Sequence, residues 1–355
     1  MEVSLPIGPA GNLRSYRMSK PYVLAVVWVC LGLAGPAMGE DQSPPTADNW
    51  LEAGVMLAQA DKKDSMADAP KAAPPKSEGP PIPHITIEGY SGCALTPIAY
   101  ICNADGQSDT IGQPVVAYTF LDLGTKNIHT FAVTVPLFRR IELGYAFNYL
   151  TLGSLIDDLE GAGLNPSRDD LWLHHFNVRG MLIEENSFDL PLPAVTAGVH
   201  FKYNHGINSL NNSLGGALSG IGFERTNGID FTLTASKMFP TLAFGRPVIL
   251  TGGIRWSQAA QIGLLGFGDT YDTTFEGSVA CLPTDWLILA YEVRQKNNPY
   301  TEINGLLGDD DWWQAFSAGW MVNDNLTLTA VWGMLGNVLN ARADNTLAIQ
   351  AKWEF

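Results

Sequence analysis

Residues 347–355 read Leu-Ala-Ile-Gln-Ala-Lys-Trp-Glu-Phe, with Leu347, Ile349, Ala351, Trp353 and Phe355 alternating with Ala348, Gln350, Lys352 and Glu354. In an extended chain successive side chains point to opposite faces, so one row is apolar and the other polar. The pattern recurs upstream. Ile141, Leu143, Tyr145, Phe147 and Tyr149 alternate with Glu142, Gly144, Ala146 and Asn148, and Val195, Ala197, Val199, Phe201 and Tyr203 with Thr196, Gly198, His200 and Lys202. Strands of soluble sandwiches run about 5–6 residues. These stretches run roughly 10, the length that crosses a bilayer at a tilt.

Twelve such stretches are readable, beginning near Val115, Ile128, Arg140, Leu171, Ala194, Ile229, Val248, Thr274, Trp286, Trp312, Leu326 and Asn345. Their connections sort by length. Every second one is short (Leu137 to Arg139, Glu185 to Pro193, Pro240 to Arg246, Leu282 to Asp285, Asn323 to Asn325), whereas Gly153 to Asp170, Asn204 to Gly228, Gln258 to Thr273 and Lys296 to Asp311 are longer. Short turns inside and long loops outside are the outer-membrane rule. No run after residue 39 is apolar enough for a membrane helix, so backbone hydrogen bonds in lipid must close as a barrel. The expected fold is all-β: a transmembrane, antiparallel, up-and-down barrel of 12 strands (14 as the alternative), with a disordered N-terminal tail. Both termini are expected in the periplasm, and outer-membrane lipid is the expected surrounding. Tyr149, Trp172, Tyr203, Trp256, Trp286, Trp312, Trp313 and Trp353 fall near strand ends, where interfacial girdles place aromatics.

Composition agrees. Charged residues are 16% of the chain and hydrophobic ones 46%, with 36 glycines, against about 25% charged in soluble domains. The net charge of −15 argues against a nucleic-acid partner, since phosphate binding needs a basic surface.

The N-terminal part divides into three. Residues 1–39 read as a secretory signal peptide: Lys20, an apolar run from Tyr22 to Ala34, then Ala37 and Gly39 at cleavage spacing, with Met18 a possible true start. Residues 40–84 are rich in Pro and Ala and read as a periplasmic linker, within which Asn49 to Ala60 could form one short helix. Residues 85–113 contain Gly89, Gly92 and Pro97, which interrupt a long strand. They read either as a plug folded into the lumen or as a first hairpin of a 14-stranded wall. Residues 114–355 are the barrel.

A Lys or Arg facing lipid at midplane costs roughly 2–4 kcal/mol, so charges belong in the lumen row. The lumen-lining candidates are Glu142, Arg179, His200, Lys202, Arg255, Glu276, Glu292 and Arg294, with Lys352 on the last strand. Two readings stand side by side: a wall braced by ion pairs, and a polar path for a small hydrophilic solute in which a basic wall (Arg179, His200, Lys202, Arg255) faces an acidic patch. Chemistry is sparse. His205 with Asn208 and Ser209 lacks the spacing of a barrel hydrolase, so no catalytic residue and no enzymatic activity are expected. His174 and His175 point to opposite faces and cannot share an ion, Asp309-Asp310-Asp311 reads as a solvated acid run, and neither metal nor cofactor is expected. Cys93 and Cys102 could close a short disulfide loop. Cys281 reads as lipid-facing packing.

The stretch Gly89-Tyr90-Ser91-Gly92-Cys93-Ala94-Leu95-Thr96-Pro97-Ile98-Ala99-Tyr100, together with Leu137 to Tyr145 and Asp285 to Lys296, resembles motifs of domain of unknown function 3034. The resemblance runs from about residue 88 to 355. It implies an outer-membrane barrel of unassigned activity, with Thr96, Pro97 and Tyr100 as the core of the plug motif. The Thr-Pro-x-Ala element also resembles one in barrels linked to exopolysaccharide export, which implies a structural or interaction barrel as the alternative to a channel. The aromatic C-terminal residue Phe355 resembles the signal that the barrel assembly machinery reads, which implies that machinery as a partner.

Overall fold

The computed structural model describes residues 84–102, 110–301 and 312–355. The signal peptide, the linker up to residue 83 and Asp309–Asp311 lie outside the described residues.

Two two-residue strands come first, β1 (His84–Ile85) and β2 (Ser91–Gly92). The wall then runs through β3 (Val115–Asp122), β4 (Asn127–Leu137), β5 (Ile141–Thr151), β6 (Asp170–Ile183), β7 (Ala194–His205), β8 (Asn227–Ala243), β9 (Arg246–Ala259), β10 (Phe267–Thr284), β11 (Leu287–Gln295), β12 (Trp312–Met321) and β13 (Leu326–Met334). A small loop hairpin, β14 (Asn337–Val338) with β15 (Ala341–Arg342), precedes the last strand, β16 (Thr346–Glu354). All neighbours pair antiparallel, and β16 pairs with β3, so twelve strands close a barrel. Closure leaves no strand edge unpaired, which a lipid environment requires. The 14-strand alternative is excluded, because β1 and β2 pair only with each other.

Alternation places the rows as the sequence dictates. In β16, Leu347 and Ile349 are each 61% exposed on the outside while Gln350 and Lys352 are buried in the lumen. Val199, Phe201 and Tyr203 of β7 are likewise outward, and His200 and Lys202 inward. Cys281 has the outward parity of Phe275 on β10 but is buried, packed with Ala243, Val248 and Tyr291, which corrects the expectation that it faces lipid. Trp313 corrects the girdle expectation. It follows Trp312 directly and therefore faces the other way, into the lumen, where it is buried beneath the Arg294 guanidinium at 5.7 Å. A further correction concerns β10, which starts at Phe267 rather than near Thr274, because β9 and β10 pair again past an irregularity between Phe267 and Asp272.

The five short turns all lie at the end where β3 begins and β16 ends. At the opposite end, longer connections carry helices α1 (Ser154–Gly161), α2 (Ile207–Ser213) and α3 (Ala217–Ile221). Their apolar side chains, including Leu155, Ile207, Leu210 and Leu218, form one cluster with Phe223, Leu265 and Phe267 and with the upper lumen residues Leu150, Leu171 and Leu173. Tyr300 joins it, donating its hydroxyl to the Leu265 carbonyl at 2.6 Å. Burial pushes that phenol well above its ordinary range, and Glu224 pushes it the same way.

Candidate functional site: a filled lumen

Residues 84–102 run inside the barrel, and the wall holds them from many sides. His84 bonds Ser317 of β12 and Thr329 of β13, both at 2.9 Å. Gln350 of β16 brackets Ile85, accepting from its amide at 3.1 Å and donating to its carbonyl at 2.7 Å. Glu142 of β5 accepts the Ser91 amide at 3.0 Å, the Ser91 hydroxyl and the Cys102 amide at 3.1 Å. Its cation, Arg179 of β6, lies 2.8 Å away and donates onward to the Ser91 and Ile98 carbonyls. Thr196 of β7 donates to the Ala99 carbonyl, and Ser236 of β8 accepts the Ala99 amide, at 2.5 and 2.8 Å.

Glu292 of β11 acts on the turn of the segment. It accepts the amides of Ala94, Leu95 and Thr96 at 3.0, 2.8 and 2.8 Å, and the Thr96 hydroxyl at 3.0 Å. Among the described residues it has no cationic partner within ion-pair distance; donor groups of the turn solvate it instead. The motif residues therefore have definite places. Thr96 binds Glu292, Pro97 bridges to Gly92, and Tyr100 donates its hydroxyl to Glu185 at the β6–β7 turn at 2.6 Å.

The middle of the lumen holds a charge belt across five consecutive strands: Lys202 (β7), Asp230 (β8), Arg255 (β9), Glu276 (β10) and Arg294 (β11). Neighbours pair in turn: Lys202 to Asp230 at 2.6 Å, Arg255 to Asp230 at 3.1 Å, Arg255 to Glu276 at 3.2 Å and Arg294 to Glu276 at 3.8 Å. Basic and acidic groups thus interleave along the wall, which corrects the expectation of a basic wall facing an acidic patch. Glu88 of the inner segment completes the belt. Its carboxylate contacts Lys202, Arg255 at 3.4 Å and Arg294 at 2.6 Å, and accepts the Tyr90 hydroxyl at 2.5 Å. Glu88, Lys202 and Asp230 are fully buried and Arg255 is nearly so. Buried charges persist only when paired and hydrogen-bonded, and here each is. His200 lies beside the belt, bonded to Asn177 at 2.8 Å and Thr232 at 2.9 Å, with the Tyr90 ring 4.7 Å away.

All eight lumen candidates face inward. The sequence reading missed Glu88, Tyr90 and Asp230. Asp230 was findable, because it sits in the polar row between the outward Ile229 and Phe231. Glu88 and Tyr90 carry no periodic signal, since their segment is not a wall strand.

Three further groups are placed differently from any site chemistry. Cys93 and Cys102 are both free thiols, not a disulfide. Cys93 packs with Ile98, Ala194 and Ile249, whereas Cys102 packs with Ile85, Val115 and Ala117 and bonds Thr134 at 3.3 Å. The segment's fold over Glu142 and Glu292 sends the two thiols into separate apolar clusters. His205 ends β7 and Ser209 lies in α2, both exposed, with no hydrogen bond between them among the described residues. His174 faces outward to the Tyr145 hydroxyl at 2.9 Å, while His175 is buried in the lumen. Among the described residues no group of three or more His, Cys, Asp or Glu is arranged to hold a metal ion.

No curated protein matches the chain. Solved structures similar to it include the KdgM porin (8% identity, 68% of this chain and 99% of that one, TM-score 0.41). The NanC porin is similar at 11% identity, covering 68% of this chain and 98% of that one, with a TM-score of 0.40. An outer membrane channel from Pseudomonas putida F1 is similar at 14% identity, covering 69% and 94%, with a TM-score of 0.39. The family model described as "Protein of unknown function (DUF3034)" matches residues 84–351, from the first residue of the lumen segment almost to the end of the closing strand, and the chain belongs to that family.

Proposed function

We propose that the protein is an outer-membrane barrel with a porin-like wall whose lumen is held shut by its own residues 84–102, so that a small hydrophilic solute passes only when that segment is displaced. The observation that carries this reading is Glu88: a carboxylate of the inner segment, fully buried, gripped by cations from three different wall strands. A twelve-stranded barrel is near the size that side chains and one inserted segment can fill. The apolar outward row supports the membrane setting, and the short turns shared with the chain's C-terminal end support a periplasmic position for both termini.

Planar-bilayer conductance tests it. Wild-type protein is expected to stay closed. A variant lacking residues 85–102, shown to fold by its heat-modifiable mobility on gels, is expected to conduct steadily. Steady open conductance of the wild type would sink the reading.

A second reading, a non-conducting interaction barrel, draws on the apolar cluster of the loop end, in which the helices of the long connections pack with the upper lumen residues and with Ile87, Ala94 and Leu95 of the inner segment. It predicts that the folded deletion variant stays closed as well.

A further inference from the structure

The wall belt carries an excess of one positive charge: Lys202, Arg255 and Arg294 against Asp230 and Glu276. The balancing negative charge is not on the wall. It is Glu88, whose carboxylate touches all three cations. The cations sit on strands locked into a closed sheet, whereas Glu88 sits on a short connection between β1 and β2, held by hydrogen bonds to the wall. Any displacement of that segment leaves the belt with one positive charge that no wall carboxylate of the belt balances. Another anion is then favoured in its place. Two guanidinium groups and an ammonium suit a carboxylate, since planar N–H forks match its two oxygens. The excess is a single charge, so a monocarboxylate neutralises the belt and a multivalent anion overcompensates it.

We propose that Lys202, Arg255 and Arg294 form a carboxylate-binding site, that Glu88 is its resident internal ligand, and that a small carboxylate solute competes with Glu88 for it. This rests on the closed-barrel reading above.

The test uses the full chain in detergent micelles. Glu88→Ala removes the internal ligand. Propionate, which matches the glutamate side chain from Cβ to the carboxylate, is compared with propionamide, its neutral counterpart of the same shape, and with sodium chloride at equal ionic strength. Propionate at roughly 50 mM is expected to raise the Tm of Glu88→Ala by at least about 3 °C. Propionamide and chloride are expected to leave it unchanged, and none of the three to move the wild type, whose site is filled. Glu88→Ser, which also empties the site, is the second variant should Glu88→Ala fail to fold, with the same propionate preference expected. Equal effects of propionate and propionamide, no effect of either, or an equal propionate shift in the wild type would overturn the site. Wild-type conductance is read separately. An open wild type defeats the closed-barrel reading alone, and a closed wild type without propionate rescue defeats the carboxylate site alone.

Discussion

Gly144 of β5 lies so close to Gly89 of the inner segment that a Cβ on Gly144 would fall 2.1 Å from the Gly89 carbonyl oxygen. Gly89 also has φ +85°, and a Cβ there would meet the Ala146 Cβ at 2.6 Å. Wall and segment are thus in backbone contact at this point, where only glycine fits on both sides. Gly144→Ala should push the segment off the wall without touching a charge. The expected outcome is a barrel that still assembles, with Tm lowered by several degrees and appearance of conductance in planar bilayers. A variant as closed and as stable as wild type would mean that the segment adjusts freely.

Glu142 and Arg179 form a buried pair that also anchors the segment at Ser91 and Cys102. Removing one partner of such a pair costs about 3–5 kcal/mol, because it strands the other charge. Arg179→Met should therefore destabilise strongly, and Arg179→Met with Glu142→Gln should recover part of the loss. Equilibrium urea unfolding of the single and double variants measures the coupling.

The lipid-facing row sets the next expectation. Ile349 is 61% exposed on the outside of β16, next to the lumen-facing Gln350. Ile349→Arg should cost about 2–4 kcal/mol in a lipid bilayer, depending on depth. Unfolding in phospholipid vesicles reads this directly, and an unchanged stability would place β16 outside the hydrocarbon.

The thiols give a probe of packing. Cys93 and Cys102 are free and buried. Neither should react with a maleimide in the folded barrel, and both should react once the protein is unfolded in denaturant. Labelling of Cys93 or Cys102 in the folded state would show that the segment leaves the lumen spontaneously.

Much of the wall is legible in the sequence, because alternation with period two is a direct consequence of strand geometry. The strand starts at Val115, Ala194, Trp312 and Leu326 coincide with the sequence reading, and β16 divides its rows as expected. The start of β10 was missed because Phe267 to Thr273 carries polar turn residues yet continues the ladder with β9. Trp313 was misassigned by proximity to Trp312, although parity alone separates them. The lumen candidates all lie in the buried, inward row, since a charge has no stable place in the outward row. Their partners were not legible, because ion pairing depends on register between strands far apart in sequence, and because Glu88 belongs to no strand of the wall.

The sequence by itself determined the barrel and the two faces of each strand, which follow from local alternation and from the need to satisfy every backbone group in lipid, whereas twelve strands rather than fourteen was decided by β1 and β2 pairing with each other and not with the wall. Only the tertiary structure decided what fills the barrel. The path of residues 84–102 is set by Glu142, Glu292 and the charge belt acting on it together, and those groups meet only once twelve strands have closed around them.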